Sequence, residues 1–244
     1  MIDPTKLDRV RTVLETDSGT KISDTLQEKD PKTLFPLQAA LGYDIAQNLF
    51  IAKNNLIVEG LADLVYLTCI SSLLETKGKT CLNKNITITP VGGLDKVVTF
   101  VALLNASELK LVCLLDTFNS EKGKQRLDEL VKDKVIKSDH VKFYHEYTDI
   151  KKADLEDVFT KSEYLSLFNK AFPDRPLKEA DLNKSIDSIL IQIQKATKND
   201  RFNHYLPAQA LTKIVAEDRD VLSDKTLGRF EALFADINKL FGYK

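Results

Sequence analysis

Four short runs of apolar and β-branched residues lie between positions 55 and 145, and the segments that separate them have helical character. The runs are Asn55-Leu56-Ile57-Val58-Glu59-Gly60, Ile86-Thr87-Ile88-Thr89-Pro90-Val91-Gly92-Gly93, the stretch 109–115 that ends at Asp116, and Val141-Lys142-Phe143-Tyr144-His145. The spacing predicts helices near 62–74, 96–105 and 123–132. Nearly continuous apolar strands alternating with helices require a parallel sheet whose two faces are both covered. The crossovers are then right-handed. The expectation is an α/β fold in which 55–60, 86–91, 110–115 and 141–145 are parallel neighbours.

The flanks read differently. Residues 1–33 are polar and carry the turn signals Asp17-Ser18-Gly19, Asp24 and Asp30-Pro31, which suggests a linker with a short strand at 9–14. Leu37, Leu41, Ile45 and Leu49 recur every four residues and predict a helix over 36–50. From about residue 156 onward the pattern is helical. Ile186, Ile189, Leu190 and Ile193 mark an amphipathic helix over 182–195. Leu227, Phe230, Leu233, Phe234, Ile237 and Leu240 mark another within 222–241. The chain thus divides into a linker and leading helix (1–50), an α/β domain (51–158) and an added helical region (159–244).

Charge narrows the function classes. Lys plus Arg is 35 and Asp plus Glu is 36, so no global positive field exists to hold a polyanion. Nucleic-acid contact would need a local basic face or bound cations. The three cysteines, Cys69, Cys81 and Cys113, form no C-x-x-C pair and read as reduced thiols of a cytoplasmic protein. No secretory signal pattern opens the sequence, and no apolar run is long enough to span a bilayer.

Ligands of open parallel sheets sit beyond the carboxyl ends of the strands. At those ends this sequence places Glu59, with Asp63 four residues on, then Gly92-Gly93, then Asp116, then the cluster Asp154-Leu155-Glu156-Asp157. Each has an ordinary structural explanation: a Glu-Gly turn, a helix-start acid, a loop acid, a tight turn, an acidic helix N-terminus. Their joint placement on one edge points elsewhere. Crowded carboxylates raise one another's pKa unless a cation neutralises them, and hard divalent ions take such oxygen ligands.

The string Leu56-Ile57-Val58-Glu59-Gly60-x-x-Asp63, a glycine-ended strand, and Leu114-Leu115-Asp116 together resemble the Toprim metal-binding fold of topoisomerases, bacterial primases and several nucleases. Three flanking stretches narrow the likeness: Leu34-Phe35-Pro36-Leu37-Gln38-Ala39-Ala40-Leu41-Gly42-Tyr43, Ile88-Thr89-Pro90-Val91-Gly92-Gly93-x-Asp95-Lys96 and Asn203-His204-Tyr205-x-Pro207-Ala208. They are similar to the overcoming-lysogenisation-defect (OLD) family of ATP-dependent nucleases. The resemblance implies a nuclease of phage defence that hydrolyses DNA with two Mg²⁺ or Mn²⁺ ions. Glu59 would bind metal or act as base, Asp63 and Asp116 would hold metal, and Glu156 with Asp154 or Asp157 would hold a second ion. The family also uses a lysine near the scissile phosphate; the motifs do not fix which, and Lys96, Lys195 and Lys198 are the candidates, although a solvated surface lysine is the plainer reading of each. Gly92, Gly93 and His204 would meet substrate.

The family places an ABC-type ATPase domain ahead of the Toprim half. Here the only Gly-Lys-Thr, Gly78-Lys79-Thr80, has Leu73 where a phosphate-binding loop needs glycine, and it follows a helix. It reads as a surface loop. The chain therefore reads as a C-terminal half, with the ATPase domain of the same polypeptide as a partner and room for a homodimer. One departure stands out. Toprim proteins carry Asp-x-Asp after the third strand, and here the sequence is Asp116-Thr117-Phe118. Two rival readings follow: a catalytically weakened Toprim module that only binds DNA or a partner, and a receiver-like signalling domain with Asp116 as phospho-acceptor. The receiver reading wants two adjacent acids after the first strand, and Glu59-Gly60 does not supply them.

Overall fold

The computed structural model describes residues 12–16, 19–23, 52–93, 96–97, 101, 109–117, 125, 128–129, 131–132, 136–199 and 202–243. Residues 1–52 and 53–244 form two compact units. In the first, β1 (Thr12–Thr16) and β2 (Gly19–Ser23) make an antiparallel hairpin with Thr16 opposite Gly19. Gly19 sits at φ +117, a left-handed conformation that glycine adopts without steric cost. The stretch expected to be a linker with one short strand thus contains a paired hairpin. The helix expected over 36–50 lies outside the described residues.

The second unit is built on a four-stranded sheet of β3 (Asn54–Val58), β4 (Thr87–Pro90), β5 (Lys110–Leu115) and β6 (Val141–Phe143). The order is β4-β3-β5-β6, and every pairing is parallel. Val58 lies level with Pro90 and Leu114, and Leu115 with Phe143, so the strands end together. This is the α/β architecture that the alternating pattern requires. All five residues of β3 and the last five of β5 are buried, as expected of central strands covered on both faces. The fourth strand is shorter than 141–145, because Tyr144–Tyr147 turns at once into a 3₁₀ segment.

Helix α1 (Leu61–Thr76) follows β3 directly. The C-terminal region adds α2 (Lys161–Ala171), α3 (Ile189–Thr197), α4 (Tyr205–Glu217) and α5 (Asp224–Phe241). Helix α3 begins later than the apolar spacing implies. Ser188 caps it by accepting from Ile191 N–H, while Asn183 accepts from Ser185 N–H in a local turn upstream. Short polar side chains that bond their own backbone compete with helix, which explains the delayed start. Helix α5 keeps most of its expected face: Leu227, Phe230, Leu233, Phe234 and Ile237 are buried, Leu240 is half-buried, and Phe241 is buried in addition. Gly78-Lys79-Thr80 is the loop that leaves α1, with Thr80 N–H donating to Glu231.

The helical region is continuous with the sheet. Helix α1 packs against α4 and α5, and α4 packs against α2. Phe159 forms the joint, with its ring centroid 5.3 Å from both Tyr66 of α1 and Phe230 of α5 and 6.2 Å from Tyr164 of α2. One apolar core runs through both parts. It fixes the strand ends against the segment that carries Asp154 and Glu156. Among the described residues no helix is long and apolar enough to cross a membrane.

Candidate metal centre

A cleft of about 500 Å³ opens beyond the carboxyl ends of β3 and β5, lined by Glu59, Asp63, Asp116, Asp154, Glu156 and His204 together with Gly60, Tyr66, Asn203 and Tyr205. Five of the six acids expected as metal ligands therefore face one space. Three come from strand ends or the helix just after β3. The other two ride on the turn Leu155–Val158 and its first flanking residue.

The acids are tied to the chain in sequence. Glu59 Oε1 accepts from Asp116 N–H at 3.2 Å, and Asp116 Oδ1 accepts from Leu155 N–H at 3.2 Å. Each carboxylate thus fixes the backbone of the next acid-bearing loop. Asp63 is committed more fully. Its Oδ2 accepts from Gly60 N–H at 3.0 Å, closing the start of α1, and its Oδ1 accepts from the Tyr144 hydroxyl at 2.7 Å. Asp63 is 8% exposed, so it lies beneath the cleft with a structural duty alongside any ligating one. Glu156, 5% exposed, faces His204 Nδ1 at 3.0 Å. The His204 ring stacks on Phe202, with centroids 4.7 Å apart and planes 3° from parallel.

Burial and mutual repulsion hold protons on this cluster. Asp63 is pushed up to about 7, first by burial and then by the charges of Glu156 and Glu59, against the Tyr144 hydrogen bond. Asp154 is raised to about 7 by burial and by Glu156, Asp157 and Glu59. Asp116 is driven well above the ordinary carboxylate range by burial and four neighbouring acids, and Glu59 is raised by burial despite the Asp116 amide. Burial alone would lower His204, but its bond to Glu156 and the surrounding acids raise it above an ordinary imidazole.

The donor set fits a divalent cation: oxygen ligands, low exposure, and more negative charge than the site holds comfortably. Among the described residues no three acid, imidazole or thiol side chains stand in a ready-made coordination cage. The carboxylates are arranged by the chain's own amides and hydroxyls.

The remaining expected residues fall elsewhere. Asp157 is not among the cleft's lining residues. Its Oδ1 accepts from Ile189 N–H at 2.7 Å and its Oδ2 from Asp154 N–H at 3.1 Å, so it joins the start of α3 to the acid turn. Gly92 and Gly93, at φ +80 and +113, both donate their N–H to the Glu59 carbonyl at 2.8 Å. They brace the end of β3. Lys96 lies over that turn, its Nζ 3.3 Å from where a Cβ on Gly92 would stand. Lys96 and Lys195 are exposed, and neither is among the lining residues. Phe118 is outside the described residues.

Sequence reasoning missed four supporting residues. Tyr144 holds Asp63. Thr117 accepts from Ala153 N–H at 3.1 Å and meets His145 Nδ1 at 2.9 Å, tying the end of β5 to the acid turn. Arg229 of α5, with its side chain 15% exposed, donates to the Asp157, Val158 and Phe159 carbonyls at 3.2–3.5 Å and pairs with Asp149. A tyrosine at the end of the fourth strand was the one signal present in the text; the other contacts depend on long-range packing.

Among curated proteins none matches the chain. Two solved structures resemble it over most of its length. The C-terminal region of the Xanthomonas campestris pv. campestris OLD protein has a TM-score of 0.44 at 18% identity, covering 77% of this chain and 96% of that one. The C-terminal region of the Burkholderia pseudomallei OLD protein has a TM-score of 0.42 at 14% identity, covering 76% and 98%. The family model described as overcoming lysogenization defect protein-like, TOPRIM domain, matches residues 50–117, the segment that supplies β3, α1, β4, β5 and the acids Glu59, Asp63 and Asp116. Over those residues the chain is similar to the TOPRIM domain of overcoming-lysogenization-defect-like proteins.

Proposed function

We propose that the acid cleft is the centre of a divalent-metal-dependent nuclease that hydrolyses phosphodiester bonds in DNA. The observation that carries this reading is the convergence of Glu59, Asp63, Asp116, Asp154 and Glu156 on one cleft, with the first four raised above the ordinary carboxylate range by burial and by one another. So much buried negative charge is unfavourable unless a cation or protons compensate it.

Glu59, Asp116, Asp154 and Glu156, with Asp63 beneath them, would hold Mg²⁺ or Mn²⁺. Bound ions supply polarisation of the phosphate and acidify a water. The chain does the rest. Asp116 N–H fixes one oxygen of Glu59, so the other is held in position to accept a proton from an attacking water, and burial raises its affinity for that proton. His204 is the one basic side chain among the lining residues. Its Nδ1 is engaged by Glu156, which leaves Nε2 to meet a phosphate oxygen.

A second reading, binding without cutting, is favoured by the lack of a preformed cage among the described residues and by Phe118 where the family carries an acid. One pair of measurements separates them. The nuclease reading expects calorimetric Mg²⁺ or Mn²⁺ binding that Glu59→Ala/Asp116→Ala abolishes, together with metal-dependent nicking of supercoiled plasmid. Equal metal binding by both proteins would remove the site assignment. Binding without nicking would favour the second reading. An ATPase domain ahead of this chain and a homodimer remain proposals of the same kind, testable by mass measurement of the natural polypeptide in solution.

A further inference from the structure

Beside the acid cleft lies a second groove of about 320 Å³, lined by Thr117, Lys151, Lys152, Asp154, Ser188 and Ile191, with Ile186 and Asp187 at its side. It shares Asp154 with the cleft, and Thr117 is the residue after the cleft's Asp116. The two hollows therefore adjoin at one carboxylate.

The groove differs from the cleft in charge. The cleft offers a single basic side chain, His204, already engaged by Glu156. The groove offers Lys151 and Lys152, both exposed and in no ion pair among the described residues. The segment that carries them is anchored immediately downstream. Ala153, 1% exposed, exchanges backbone and hydroxyl hydrogen bonds with Thr117: Thr117 N–H donates to the Ala153 carbonyl at 2.9 Å, and Ala153 N–H donates to Thr117 Oγ1 at 3.1 Å. Two unpaired cations thus stand on a pinned stem at the rim of the acid site.

A polyanion approaching this site meets a net-acidic cleft and a chain of net charge −1. Nothing global attracts it, so cations adjoining the cleft must hold its flanking phosphates. Resting on the nuclease reading, we propose that the DNA strand leaves the acid cleft over Asp154 into this groove, where Lys151 and Lys152 bind the phosphates next to the scissile one. Asp187 on the groove's side bounds the cationic end.

The test is anisotropy of a fluorescent DNA duplex with the whole chain, in EDTA and in Ca²⁺, across a range of NaCl. Each phosphate contact contributes about 0.9 to the slope of log affinity against log salt. Lys151→Gln/Lys152→Gln is expected to lower that slope by about 1.8. Lys170→Gln/Lys184→Gln, an equal charge change at exposed positions outside the groove, is expected to leave it unchanged. Calorimetric Mg²⁺ binding is expected to match wild type in both. An unchanged slope for the groove variant, an equal fall in the control, or no DNA binding by the wild type overturns the track. If the wild type nicks DNA while the groove variant keeps its slope, the track fails and the nuclease reading survives. If the slope falls but no protein nicks DNA, the track stands and the nuclease reading fails.

Discussion

Replacing Tyr144 by Phe removes one oxygen from a fully buried ring and leaves the ring's packing in place. That oxygen donates to Asp63 Oδ1 at 2.7 Å. A hydrogen bond to a charged partner is worth about 1.5–3 kcal/mol, and to a neutral one about 0.5–1.5 kcal/mol. Asp63 has a folded pKa of about 7, raised above its unfolded value. The sign follows: Asp63 is protonated well below pH 7 and ionised well above it, so Tyr144→Phe costs the larger amount at pH 8.5 and the smaller at pH 5. For a unit of this size, 1 kcal/mol moves the melting temperature by about 2–4 °C. Thermal melts in EDTA at the two pH values are therefore expected to show a deficit of several degrees at pH 8.5 that shrinks by about half at pH 5. Removing the donor also raises Asp63 further, so the pH at which the deficit develops is expected to lie above 7. A deficit of equal size at both pH values would refute the reasoning, because the tyrosine would then be supporting packing and not the carboxylate's charge.

Asp63, Asp154 and Asp157 all have folded pKa values above the unfolded one, at about 7, 7 and 6. The metal-free protein is thus expected to lose stability progressively as pH rises from about 4 to 8, with no further loss from these groups above that. Mg²⁺ is expected to restore stability above pH 7 and to add little at pH 5, which melts with and without EDTA measure directly. Arg229→Met removes the cation that gathers three carbonyls of the acid turn; a loss of about 1–3 kcal/mol in denaturant unfolding is expected, with weaker Mg²⁺ binding by calorimetry and partial rescue by Arg229→Lys. Phe118→Asp adds the carboxylate that the family pattern carries two residues after Asp116, and is expected to lower the Mg²⁺ concentration needed for half-maximal nicking. A collapsed melting temperature in that variant would show Phe118 to be core.

The strand ends were legible because parallel strands covered on both faces leave an unmistakable apolar trace, and the acids that terminate such strands have one edge to occupy. The placement of Glu59, Asp63, Asp116 and the cluster Asp154-Leu155-Glu156-Asp157 near that edge followed from this, and their metal-holding role from the Toprim resemblance. The division of labour among them did not. Asp157 sits next to Glu156 in sequence yet turns to the start of α3, because a 3₁₀ turn of four residues sends adjacent side chains in different directions. Tyr144 and Arg229 are separated from the groups they hold by 81 and about 70 residues, and no local pattern encodes such a contact. Lys96 and Lys195 lie outside the cleft's lining, whereas Lys151 and Lys152, which line the adjoining groove, precede an acid cluster and read as ordinary surface.

Asp63 closes the first turn of α1 and accepts a buried tyrosine hydroxyl, whereas Asp154 faces open space. The two acids are therefore exposed to different selection. Under the nuclease reading, a lineage that lost the activity would no longer need Asp154 but would keep Asp63 to fold. Retention of the aspartate after the first strand is consequently poor testimony to the proposed activity, and retention of the outward-facing acid would be the better witness.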